Sequence, residues 1–168
     1  MEHVSRLIGE GMLSVFQIRL AKMWERTRGA QRLPEFQAFD FDSIRDLLEN
    51  ILICEVDGYK SPHEFVVSSH GKIMTEMRGA DCSGRKLGDI LPYQLRAGAL
   101  QDYATTALKG IPTFRQQTIP DGRGQPVSFE QLLLPFGVSR QETHRIVCAV
   151  YLFTERNGFD RRLLLVER

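Results

Sequence analysis

The sequence predicts an α+β fold, a five-stranded antiparallel sheet with helices on one face and an additional N-terminal helix, from three observations. Residues 126–153 hold two apolar runs rich in β-branched and aromatic residues, parted by a polar segment containing Gly137. That is the pattern of a long antiparallel hairpin. The second run, from Ile146 to Phe153, is apolar at every position, so both of its faces need cover. Helical patterns fall between the second and third predicted strands and again at the N-terminus. One group can cover one face and leave the other to the N-terminal helix.

At 168 residues the chain fits one domain, able to bury roughly 70% of its unfolded surface. Its 22 basic and 21 acidic residues leave a formal net charge of +1, which argues against nucleic acid as the main partner. Cys54, Cys82 and Cys148 are an odd number at wide spacing, with no Cys-x-x-Cys pair. They predict reduced thiols in a cytoplasmic protein, without a disulfide framework or a metal site. Glu2 and Glu10 interrupt the N-terminus, so no signal peptide is expected. The longest apolar run, eight residues, is far short of a membrane span.

Residues 1–28 read as an N-terminal amphipathic helix, 29–155 as the sheet domain, and 156–168 as a C-terminal tail. In the first helix Val4, Leu7, Ile8, Met12 and Val15 follow helical spacing, and Leu13, Phe16, Leu20, Met23 and Trp24 form a second, overlapping stripe. A helix of about 40 Å with so broad an apolar face either packs wholly on its own domain or pairs with a second copy. In the second case Leu13, Phe16, Leu20 and Met23 are the contact residues. Gly29 ends the helix and Pro34 prevents its continuation.

Asp42 or Ser43 can cap a short helix over 44–50. Strands follow at 51–56 and 64–69, joined through Asp57-Gly58 and a loose loop over 59–62. A short helix over 70–78 puts Ile73, Met74 and Met77 on one side, and Gly79, Gly84 and Gly88 punctuate turns after it. The helix over 94–109 is stopped by Gly110 and Pro112. A strand over 113–119 and a turn over 120–124 lead into the hairpin.

Candidate chemistry is sparse. No Ser/His/Asp order, His-Glu-x-x-His or phosphate loop appears. Glu130 lies mid-strand, sharing its face with Leu132 and Leu134. If that face points inward, the carboxylate needs a partner, with Arg85, Arg115 or Arg145 as candidates; if outward, it is solvated. Alternation offers Leu132, Leu134, Cys148 and Val150 from strands, with Met77 and Tyr103 from helices, either as the lining of a cavity or as plain core.

The run Met23-Trp-Glu-Arg-Thr-Arg-Gly29 with Leu33-Pro34, the phrase Gly79-x-Asp-x-Ser-Gly-Arg-Lys-Leu87, and Phe129-Glu-x-Leu-Leu-Leu-Pro135-Phe136 together resemble a family of compact, stand-alone bacterial PAS-type domains, over residues 23–153. The resemblance implies a PAS-like sheet and a cytoplasmic sensory or regulatory module without enzymatic activity. It also implies a homodimer that acts on another signalling protein, with a small-molecule ligand as a candidate signal. No effector sequence follows Phe153, so output is expected to pass through a partner. Haem would call for a histidine on the helix over 94–109, which has none. Gly79-Ala-Asp-Cys82 is similar to the phrase by which flavin photoreceptors present their cysteine, but continues as Ser83-Gly84-Arg85. Neither haem nor flavin is therefore expected, nor any other cofactor. A small enzyme on a half-wrapped sheet and a structural adaptor without ligand are the alternatives.

Overall fold

The computed structural model describes residues 2–57, 64–121, 123–138 and 142–153, with the side chains of Met77, Arg78 and Phe153 outside the description. The loose loop expected over 59–62 and the tail over 156–168 lie outside the described residues. Helices α1 (Glu2–Gly9) and α2 (Val15–Arg28) open the chain, and two 3-10 segments, Phe36–Ala38 and Phe41–Asn50, lead into the sheet. Strands β1 (Ile51–Asp57) and β2 (Glu64–His70) come next. Helices α3 (Lys72–Arg78), α4 (Leu87–Ile90) and α5 (Tyr93–Lys109) then precede β3 (Thr113–Pro120), β4 (Pro126–Val138) and β5 (Glu142–Phe153).

The five strands pair in the order β2-β1-β5-β4-β3, antiparallel throughout. The last strand is thus the central one, which is why its sequence is apolar on both faces. One face carries Leu52, Cys54, Leu133, Ile146 and Cys148 against α4 and α5. The other carries Ile51, Leu132, Leu134, Phe136 and Val147 against α1, α2 and the 3-10 segments.

The single N-terminal helix expected over residues 2–28 is two helices. Gly11 takes φ 100°, a left-handed value that a side chain would resist, and the chain turns there. The break divides the apolar residues between two helices, with Met12 and Leu13 in the turn and Val15 at the start of α2. Val4 and Leu7 face inward from α1, whereas Leu20, Ala21 and Trp24 do so from α2. Leu20, expected at a contact between copies, is 2% exposed inside its own core, and Met23 packs partly against that core. The cap of the second 3-10 segment is Asp40, which accepts from the Ser43 amide at 3.2 Å, in place of Asp42 or Ser43.

Side chains fasten α2 to the sheet. Trp24 donates its indole N–H to the Pro135 carbonyl at 2.7 Å. Gln17, 1% exposed, donates through Nε2 to the carbonyls of Ala149 at 2.9 Å and Glu130 at 3.3 Å. Among the described residues no helix is long and apolar enough to cross a membrane.

Candidate functional site

A cavity of about 70 Å³ lies between the sheet and helices α3 to α5. Its body is apolar, formed by residues such as Leu52, Met74, Leu95, Phe129 and Val150, and no charged side chain among the described residues lines it. Helix α5 presents Ala99 and Tyr103 to it, and β4 and β5 present Gln131, Cys148 and Val150.

Tyr103, Cys148 and Val150, expected at a cavity, line this one. Leu132 and Leu134 do not, because the parity of β4 is shifted by one. Both pack on the α2 face, and Phe129 and Gln131 take the cavity side. With Leu132, Leu133 and Leu134 all apolar and both faces covered, alternation carries no information there. The side chain of Met77 lies outside the described residues.

The Tyr103 hydroxyl lies beside the thiols of Cys54 and Cys148 in the same buried cluster. Burial is the main cause that pushes all three groups up. Tyr103 stands well above its ordinary value, Cys148 rises to about 11, and Cys54 is raised as well. These thiols stay protonated, and a protonated thiol is a poor nucleophile. Gln131, 9% exposed, gives Nε2 among the described residues only to the Cys148 sulfur at 3.7 Å.

Cys82 is buried but lies outside this lining. Its amide donates to His70 Nε2 at 3.0 Å, and Asp81 Oδ1 lies 2.7 Å from the same nitrogen. The Ser83 backbone N–H, then His70, hold the Asp81 carboxyl down at about 2. The glycine-rich phrase is thereby latched to the end of β2.

Glu130 is fully buried on the opposite face, as its inward reading required, but its partner is no arginine. Arg115 pairs with Asp102 and Arg145 with Glu55. The Glu130 carboxylate instead accepts from the amides of Leu13 at 2.7 Å and Ser14 at 3.1 Å, at the start of α2. A helix N-terminus supplies unpaired amides and a partial positive charge, so a carboxylate can be satisfied there without a cation. No local capping pattern could reveal it, because 116 residues separate Glu130 from Ser14. At the same corner Ile8, Leu13, Val15 and Phe16 are exposed apolar side chains, and Phe16 stacks on Tyr151 with centroids 5.4 Å apart.

An antiparallel sheet wrapped on one side by short helices over a small apolar cavity, with N-terminal helices fixed across its back, defines a half-wrapped α+β domain. A family model described as PAS_5, PAS domain, matches residues 12–151, and the chain belongs to that family. PAS domains are typically sensory and regulatory. The PAS domain of BvgS from Bordetella pertussis superposes with a TM-score of 0.51 at 16% identity, over 69% of this chain and 88% of that one. A light-oxygen-voltage domain studied with a flavin analogue gives 0.50 at 8% identity, over 68% and 84%. At these identities the likeness is one of fold. No curated protein sequence matches the chain.

Proposed function

We propose that this chain is a non-enzymatic sensory and regulatory module of the cytoplasm, in which occupancy of the cavity sets how the N-terminal segment meets other proteins. The observation that carries this reading is an alternation along two strands. Gln131 of β4 and Cys148 and Val150 of β5 line the cavity, whereas their chain neighbours Glu130 and Ala149 hold α2. A ligand that shifts these strands acts on both sides at once, and favours one seating of α2 by its differential affinity for the two arrangements. The exposed group Ile8, Leu13, Val15 and Phe16 is the contact surface, first with a second copy of the chain and then with a signalling partner.

The lining does not suit the larger cofactors of light and gas sensors. About 70 Å³ is well below the roughly 300–1,000 Å³ of typical ligand pockets. No histidine among the described residues lines it, and Cys82 faces elsewhere. Among the described residues no acid/base pair lines it either, and Tyr103 and Cys148 are held in their protonated forms.

Filling the cavity tests the coupling. Ala99→Leu adds bulk from α5, and amide hydrogen exchange over α2 is expected to change severalfold, with the sedimentation of the protein changing alongside. Unchanged exchange over residues 15–28 overturns the coupling. If the unmodified protein already sediments as a 19.2 kDa monomer at micromolar concentration, the self-association goes with it.

A further inference from the structure

We propose that the cavity takes a small neutral molecule with an apolar, single-ring body and one hydrogen-bonding end, received by the carboxamides of Gln131 and Gln117. The inference rests on reading the cavity as a ligand site and specifies what that site accepts.

Gln131 is the decisive residue. Its side chain is nine-tenths buried and points into an otherwise apolar space. A carboxamide can donate twice and accept twice. Here its one hydrogen bond among the described residues runs to a thiol sulfur at 3.7 Å, a weak acceptor. An amide removed from water without compensation costs about 1–3 kcal/mol, so an unsatisfied one is either a defect or a receptor. The other polar groups of the lining are the Tyr103 hydroxyl and the Cys148 thiol, both held protonated.

Gln117 turns a lone group into a polar end. It stands opposite Phe129 in the β3–β4 register, and Gln131 stands opposite Arg115, two positions along. Residues 117 and 131 are thus diagonal neighbours on one face, and both line the cavity. Gln117 is half-buried and makes no side-chain hydrogen bond among the described residues. Beside these amides the sheet face is hydrocarbon, with Val150 directly across from Gln131, and Met74 and Leu95 come from the helices.

Charge and size complete the specification. An ionised ligand would lose its hydration without meeting a counter-charge, because no charged side chain among the described residues lines the space. At about 70 Å³ the space is about half the roughly 150 Å³ that takes a benzene ring, so a one-ring body enters by displacing the flexible Met74 and Leu95 side chains of the wall.

The test uses three probes of similar size, phenol, toluene and benzoate, titrated into the full chain and followed by protein-detected NMR. Phenol is expected to bind, toluene more weakly, and benzoate not at all. Gln131→Met, of similar volume, should weaken phenol about tenfold and leave toluene within about twofold. Gln117→Leu gives a second reading should the first variant fold poorly, with a smaller loss for phenol. If toluene equals phenol and neither variant separates them, the amide-directed specificity is overturned while the cavity remains a ligand site. If benzoate binds as well as phenol, the requirement for neutrality is overturned. If none of the probes binds, the cavity reading itself falls.

Discussion

On the α2 side of the sheet, Leu132, Leu134 and Phe136 are closed to solvent beneath Trp24, and long polar side chains reach main-chain partners across the contact. On the α5 side, one residue along the same strands, a space of about 70 Å³ remains and a carboxamide stands almost unused. One side is built to hold a helix in a fixed seat, because hydrogen bonds are directional and an orphaned amide is costly. The other is built loosely enough to accept something else.

The largest way to break this contrast is to remove the carboxylate that holds α2. Glu130→Leu leaves two amides at the head of α2 without their acceptor and should cost about 3 kcal/mol. Urea melts followed by circular dichroism measure it. A change below about 0.5 kcal/mol would mean that the amides find water and that Glu130 anchors nothing.

A pair of adjacent substitutions sharpens the contrast directly. Ala149 lies on the packed side and Val150 lines the cavity. Ala149→Leu should cost about 2 kcal/mol through overpacking under α2, whereas Val150→Leu should stay within about 0.5 kcal/mol because there is room. Equal costs in the same melts would erase the distinction between the faces.

The smallest effect concerns pH. Asp81 is held down from the ordinary 3.8 to about 2, chiefly by the Ser83 backbone N–H and secondly by His70. A depressed carboxylate contributes stability above its unfolded value, and that contribution is lost as pH falls through the folded one. The latch on the cavity side should therefore loosen between pH 3.8 and about 2. Asp81→Asn should flatten the acid limb of stability in that window. An identical limb in the variant would show that the latch does not depend on this carboxylate.

Much of the architecture was legible because its signals are redundant. The continuous apolarity from Ile146 to Phe153 demanded two covers, and the central place of β5 explains it. Gly29 and Gly110 end their helices where a stop was expected, whereas Glu130, readable from sequence as inward or solvated, is buried on the face away from the cavity. The same redundancy hid the site. Where both faces are apolar, Leu132 and Leu133 are interchangeable on paper, so the cavity parity came out shifted and Gln131 went unnoticed. Leu20 was equally ambiguous, since an apolar residue on a broad stripe fits an interior as well as a contact between copies. The break at Gly11 has local signals in Gly9, Gly11 and the cap Ser14, outweighed by the continuous apolar stripe, whereas the amide partners of Glu130 lie more than a hundred residues away, where no local pattern is sensitive.

The seat of Trp24 has a practical consequence. The chain has one tryptophan, so its ultraviolet emission comes from a single known place. That indole is fully buried, hydrogen-bonded to Pro135 on β4, and edge-on to the imidazole of His3 with centroids 5.7 Å apart. An indole in such surroundings emits to the blue of one in water, and lifting α2 from the sheet would move the emission red. The protein thus carries an intrinsic optical gauge of whether its N-terminal helix is seated, readable without any label.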